Sequence, residues 1–206
     1  MNDQIELYGA NTGNSLRAAI ALEESGIAYT ARRLDLYAQE HRGPAFLALN
    51  PAGKVPTLID HGPTPMLVIN QSNAIIQYAD SIAPGRLAPA QPGPARTRVI
   101  DRYFFFVTDV IAPSHAAFFL RQAGQDKAAA IIDLRVIEQL TYAESFLTAD
   151  FMAGEQFSMA DISAFTIVTA FRDRLEWQEL PQLSRWFDSV EARPAVQRGL
   201  NAFKHS

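Results

Sequence analysis

Apolar and polar residues alternate over Ile5-Glu6-Leu7-Tyr8, the two-residue period of a half-buried strand. A polar loop from Gly9 to Ser15 follows. Leu16, Ala19, Ile20 and Leu22 then recur at helical spacing up to Ser25, with Gly26 placed as a C-terminal cap. Tyr29 to Leu36 reads as a second strand and Glu40 to Leu49 as a short helix. Thr57-Leu58-Ile59-Asp60 and Met66-Leu67-Val68-Ile69 flank the turn His61-Gly62-Pro63-Thr64-Pro65, which predicts an antiparallel hairpin. Ser72 to Ser81, carrying Ile75, Ile76 and Tyr78, closes the half as a helix. The predicted order is β-α-β-α-β-β-α.

Proline and glycine crowd the stretch from Ile82 to Pro94, which breaks both periods and reads as a linker. Beyond it the pattern is helical. Val99, Ile100, Tyr103, Phe104, Phe106, Val107 and Val110 mark a helix from Ala95 to Ala112. Ile131, Leu134, Ile137, Leu140 and Phe146 mark another from Asp126 to Thr148. Met159 to Phe171 is apolar nearly all round and is expected to be buried; Ser158-Met159-Ala160-Asp161 opens it as a capping box. Leu183, Trp186, Phe187 and Val190 form a last amphipathic stripe, and Pro194 suits the first turn of a tail helix. The expected domains are 1–82 and 95–206, joined by a linker at 83–94.

Composition narrows the chemistry. With 48% hydrophobic and 19% charged residues in 206, the chain is ordinary globular protein. A net charge of -4 argues against a broad nucleic-acid surface. There is no cysteine, so any thiol chemistry must arrive with a ligand. Histidines 41, 61, 115 and 205 lie too far apart for metal-ligand spacing, and no metal is expected. The first residues lack the basic flank and apolar core of a leader, and no stretch reads as long and apolar enough to span a membrane. A soluble, cytoplasmic protein is expected, and the sequon Asn70-Gln71-Ser72 is read as chance. Gly53-Lys54 is no P-loop, because Ala48 stands where the upstream glycine is required, and no G-x-G-x-x-G occurs.

Three motifs stand in order: Asn50-Pro51-Ala52-Gly53-Lys54-Val55-Pro56-Thr57-Leu58, then Gln71-Ser72-Asn73-Ala74-Ile75, then the box Ser158 to Asp161. Arg193-Pro194 follows Trp186. Over essentially its whole length the chain resembles the glutathione transferase family. The resemblance implies an α+β fold, with a thioredoxin-like N-terminal domain followed by an all-α domain. It implies glutathione as co-substrate. Pro56 is then cis, Val55 pairs its backbone with the cysteinyl residue, and Lys54 meets the glycyl carboxylate. Gln71 and Ser72 hold the γ-glutamyl carboxylate, remote from the sulfur. Read locally, Pro56 starts a strand in trans, Ser72 is an N-cap and Lys54 is a surface lysine.

A free thiol of pKa about 8.5 is only about 3% thiolate at pH 7, and lowering it by about two units needs roughly 2.7 kcal/mol. The resemblance places the activating donor in the loop from Gly9 to Ser15. Tyr8 falls one position before the family's catalytic tyrosine, whose place is taken by Gly9. The pattern Ala10-x-Thr12-x-Asn14 resembles the bacterial nu class, although Gly13 and Ser15 depart from that class's usual proline and glycine. It implies Asn14 and Thr12 at the sulfur with Ser15 in reserve; locally all three read as caps. Three activities stay open: transfer to a small electrophile, reduction of a small disulfide with two glutathiones per site, and binding without catalysis. The resemblance also implies a homodimer pairing across the helices that begin near Ser72 and Ala95. An acceptor site is expected between the halves. Tyr103, Phe104, Phe106, Phe118 and Phe119 are mostly expected in the core, and His115 as a surface or core histidine.

Overall fold

The structure, a computed structural model, describes residues 4–204; Met1-Asn2-Asp3 and His205-Ser206 lie outside them. Strand β1 (Ile5–Gly9) takes a parallel neighbour, β2 (Thr30–Arg33), on one side and the antiparallel β3 (Thr57–Asp60) on the other. Strand β4 (Leu67–Ile69) pairs with β3, which makes the order β2-β1-β3-β4. The alternation in β1 buries Ile5, Leu7 and Gly9 on one face and sets Glu6 and Tyr8 on the other. Helix α1 (Gly13–Ser25) stops where Gly26 takes φ 70°, a left-handed cap that suits glycine. Helices α2 (Pro44–Leu49) and α3 (Ser72–Ile82) complete the predicted β-α-β-α-β-β-α order.

Two elements differ from the sequence reading at their ends. β2 keeps four of the eight residues expected, because Asp35 opens a turn by accepting from the Tyr37 and Ala38 amides. The helix expected from Glu40 begins at Pro44, behind a separate 3-10 turn at Glu40–Arg42. Gly43 sits between them in extended backbone, with ψ 149°, and interrupts the helical path.

In the helical part, α4 (Pro94–Phe105) runs through a π turn (Phe106–Ile111) straight into α5 (Ala112–Gln122). Pro113 explains the widened turn, since it has no N–H and its ring crowds the carbonyl four residues back. The 29-residue run Pro94–Gln122 is long and apolar enough, by length and composition, to cross a bilayer, which corrects the expectation that no such stretch exists. Here Val99, Tyr103, Phe106, Val110 and Ala117 along it are buried, and it packs on α6 (Asp126–Tyr142) and α7 (Met159–Phe171). The reading of one helix to Thr148 gives way to α6 and a 3-10 turn at Ala143–Phe146.

Helix α7 is the expected buried rod. Its capping box is complete: the Ala160 amide donates to Ser158 Oγ, and the Ser158 amide donates to the Asp161 carboxylate. Helix α8 (Pro181–Glu191) lays Leu183, Trp186, Phe187 and Val190 inward, and Phe187 stacks on Phe165 with centroids 5.1 Å apart.

The chain forms two compact units. One is Ala88–Ala192, and the other runs to Leu87 and regains the tail from Arg193 onward. The tail therefore departs from the single helical domain 95–206. Helix α9 (Pro194–Asn201) packs on α1, where Gly199 comes so close that an added Cβ would lie 2.8 Å from Ile20 Cα. Arg193 clamps Glu24 through two bonds of 2.7 and 2.8 Å, and Arg198 meets Glu23 at 2.7 Å.

Candidate functional site

The register of the sheet brings the predicted motifs to one end of the first unit. Tyr8 pairs with Thr57, so Pro56 precedes the residue opposite Tyr8, at the end of β1 from which the loop to α1 departs. That loop is shaped by its own side chains. Thr12 caps α1, accepting from the Ser15 amide at 3.3 Å, and donates its hydroxyl to Ser15 Oγ at 3.0 Å. Ser15 Oγ also accepts from the Ala10 amide at 3.3 Å, and Ser15 is fully buried. Ser15 thus staples the loop from beneath, whereas Asn14 is half-buried on the first turn of the helix.

The Val55–Pro56 bond is cis. The loop before it is held by Asn50, a buried amide that donates to the Lys54 carbonyl at 2.7 Å and to Thr57 Oγ1 at 3.2 Å, and accepts from the Ala52 amide at 3.1 Å. Thr57 in turn donates to Asn70 Oδ1 at 2.9 Å, and Asn70 donates to the Leu49 carbonyl at 3.2 Å. This polar chain ties the cis-proline loop to Asn70, two positions ahead of α3. Gly53 has φ 56°, and an added Cβ would lie 3.0 Å from the His41 carbonyl, so glycine alone fits there comfortably. Lys54 is exposed and Val55 half-buried.

At α3 the cap position belongs to Gln71, which is exposed and makes no side-chain capping bond. Ser72 is the first helical residue, so the local reading of Ser72 as an N-cap does not hold. Its hydroxyl, nearly buried, accepts instead from Arg17 Nη1 at 3.3 Å. The same nitrogen donates to Asn14 Oδ1 at 2.9 Å. Arg17 is only 2% exposed, a charge held inside the unit. It was absent from the sequence-derived candidates, because an arginine on the inward stripe of a helix carries no motif. It also draws Ser72 and Asn14 onto one nitrogen.

Tyr8 points the other way. It shares a face with Glu6, and its ring lies 6.0 Å from that of Phe46 on α2. Burial pushes the phenol pKa above its ordinary value and the Glu6 carboxylate adds to that, so the phenol keeps its proton. Gly9 lies against the buried ring of Phe203, so a side chain there would require that ring to shift. In the helical unit Tyr103 and Phe106 are core, while Phe104, Phe118 and Phe119 are about half exposed and His115 is exposed. A cleft of about 460 Å³ there is lined by Asp101, Phe104, Phe105, Tyr142 and Phe146, with the Arg102 guanidinium 3.8 Å from the centre of the Phe146 ring.

Chemically, the first unit offers two helix N-termini, the backbone beside a cis-proline and a buried guanidinium, a donor-rich setting suited to an anionic, peptide-like ligand. Comparison with known proteins agrees. The family model described as glutathione S-transferase, N-terminal domain, matches residues 13–82, and the one described as its C-terminal domain matches 108–201. The maleylacetoacetate isomerase maiA of Aspergillus fumigatus is 32% identical over 197 residues, covering 89% of this chain and 84% of its own. The disulfide-bond oxidoreductase YfcG of Escherichia coli is 27% identical over 205 residues, covering 95% and 94%. A crystal structure of a glutathione transferase from Burkholderia graminis, with two glutathione molecules bound per subunit, superposes with a TM-score of 0.86 at 26% identity, covering 99% of this chain and 90% of that one.

Proposed function

The chain belongs to the glutathione S-transferase family, and on that premise we propose that its first unit binds glutathione and activates the thiol for attack on a small electrophile. Val55 pairs with the cysteinyl backbone, Gln71 and Ser72 hold the γ-glutamyl carboxylate, Lys54 meets the glycyl carboxylate, and Asn14 donates to the sulfur. The observation that carries this reading is the meeting of Asn14 and Ser72 on Arg17, at the same end of the sheet as the cis Val55–Pro56 bond. Between the loop donors the geometry favours Asn14. Ser15 is buried in its staple, and Thr12 spends its hydroxyl proton on Ser15. One bond from Asn14 to a thiolate supplies about 1.5–3 kcal/mol, and the dipole of α1 adds a share.

Asn14→Ala is expected to raise the pKa of bound glutathione by about one unit, the equivalent of roughly 1.4 kcal/mol. Turnover near pH 7 falls about tenfold and recovers partly at higher pH where chemistry limits the rate. Ultraviolet thiolate absorbance of the complex against pH reads the midpoint directly. A midpoint moved by Ser15→Ala and untouched by Asn14→Ala would assign the donor to Ser15.

A second reading has its own support, in the resemblance to YfcG and to the Burkholderia protein that holds two glutathiones. In it one glutathione thiolate opens a small disulfide, and the thiol of a second glutathione resolves the mixed disulfide. Two glutathiones leave oxidised as one disulfide, and the substrate leaves as two thiols. A chain without cysteine suits this, because both sulfurs come from the ligand. Turnover of a hydroxyalkyl disulfide, measured beside conjugation of a chloroaromatic, is the expected result; conjugation alone removes this reading.

The protein is also proposed to work as a homodimer. Phe104, Ile131, Leu134 and Tyr142 are large apolar side chains exposed on the helical unit, more than solvation favours. Sedimentation equilibrium is expected to give twice the 22.8 kDa of one chain, and a single-chain mass at micromolar concentration refutes pairing.

A further inference from the structure

We propose that Arg17 is a positioning residue that sets the hydrogen-bond polarity of both Asn14 and Ser72, coupling activation of the thiol to anchoring of the ligand's carboxylate. The inference rests on the glutathione reading of the site and goes beyond it by assigning a task to a side chain to which that reading gives none.

The argument starts from what a guanidinium is. It has N–H donors only, no acceptor, and it keeps its charge at any pH the protein survives. A partner must therefore turn an oxygen toward it. Asn14 turns Oδ1 to Arg17 Nη1 at 2.9 Å. An asparagine amide is ambiguous by shape alone, since oxygen and nitrogen exchange on a flip. Here the flipped form would set N–H against N–H, so Arg17 decides it, and Nδ2 is the end not turned to Arg17. That end is a donor, which a thiolate needs.

The same reasoning applies at Ser72. A hydroxyl has one proton and two lone pairs. Ser72 Oγ accepts from Arg17 Nη1 at 3.3 Å, so its own proton points elsewhere and is presented to an anion. Both bonds come from one nitrogen, and Arg17 is 2% exposed, so packing restrains the side chain that makes them. One residue on α1 thereby aligns a donor on its own helix with another at the start of α3, 55 positions later in the chain.

The test is a comparison of wild type, Arg17→Met, Arg17→Lys and Asn14→Ala, with Arg17→Met also made in the Asn14→Ala background. Two quantities are read in each: the pH midpoint of the thiolate absorbance of bound glutathione, and the dissociation constant for S-methyl glutathione, which has no thiolate. Arg17→Met is expected to raise the midpoint by about half a unit to one unit and to weaken S-methyl glutathione about tenfold, the size of one lost bond at each end. In the Asn14→Ala background the midpoint is expected not to move further, because Arg17 acts on the sulfur through Asn14. An unmoved midpoint in folded Arg17→Met, or an equal shift in both backgrounds, overturns the proposal. Should Arg17→Met fail to fold, Arg17→Lys carries the test. Lysine keeps the charge but has a different reach and a different fan of N–H bonds, so the midpoint is expected to rise by about 0.3 to 0.5 unit and the dissociation constant to rise about two- to threefold. Wild-type values of both in Arg17→Lys overturn the proposal. A wild-type complex without thiolate absorbance refutes the glutathione reading and this inference with it, whereas normal wild type beside unmoved variants refutes this inference alone.

Discussion

Asp161→Ala is expected to remove about 3–5 kcal/mol of folding stability, the sum of several buried donors left without their acceptor. The carboxylate of Asp161 is fully buried and accepts from the Met152 amide, the Ser158 amide, the Ser158 hydroxyl and the Trp186 indole, all at 2.8 to 2.9 Å. It thus joins the start of α7 to the loop before it and to α8, and Trp186 is itself completely buried. Burial pushes the Asp161 carboxyl above its ordinary pKa, and the four bonds oppose that without cancelling it. The sign follows: the folded state holds the proton to a higher pH than the unfolded chain, so this titration favours the fold in acid. That contribution is lost as pH rises through the folded value. At neutral pH the bonds themselves carry the residue's stabilising effect. Urea unfolding followed by tryptophan fluorescence measures the loss. A variant within about 1 kcal/mol of wild type would mean that water replaces the carboxylate at little cost.

Ser72→Ala is expected to raise KM for glutathione by the equivalent of about 1–3 kcal/mol, the usual worth of a hydrogen bond to a charged group. Turnover at saturation should be nearly kept. Loss of a contact equally strong in ground and transition states appears in KM alone. The Arg17–Asn14 bond does not pass through Ser72, so the thiolate midpoint should stay close to wild type. Steady-state kinetics at saturating electrophile separate the two parameters. An unchanged KM with collapsed turnover would place Ser72 at the reacting sulfur and invert the orientation proposed for the ligand.

Much of the fold was legible because it is written in short-range patterns. The succession of elements along the first unit, the glycine cap at Gly26, the capping box at Ser158 and the bounds of α7 each depend on residues within a few positions of one another. The end of β2 and the start of α2 were read too long, since Asp35 and Gly43 interrupt them through turn geometry that hydrophobic periodicity does not report. The long run through α4 and α5 was cut at Ala112 in the sequence reading, because Pro113 signals a break and the signal does not say that a π turn absorbs it.

By itself the sequence determined the two-part α+β architecture, the position of the cis-proline loop ahead of β3 and the serine at the start of α3, since each rests on local pattern or an ordered motif. It determined as well that no thiol of the protein takes part. Only the tertiary structure decided where the tail goes, what fills the space at Gly9, and which loop side chain is buried. Those answers depend on partners far away in sequence: Phe203 against Gly9, Gly199 against Ile20, and above all Ser72 against Arg17. A buried charge has no periodicity of its own, and nothing local distinguishes Arg17 from a lysine or arginine that lies on the surface. Its burial becomes visible when α1 and α3 pack together and bring two oxygens within reach of one nitrogen.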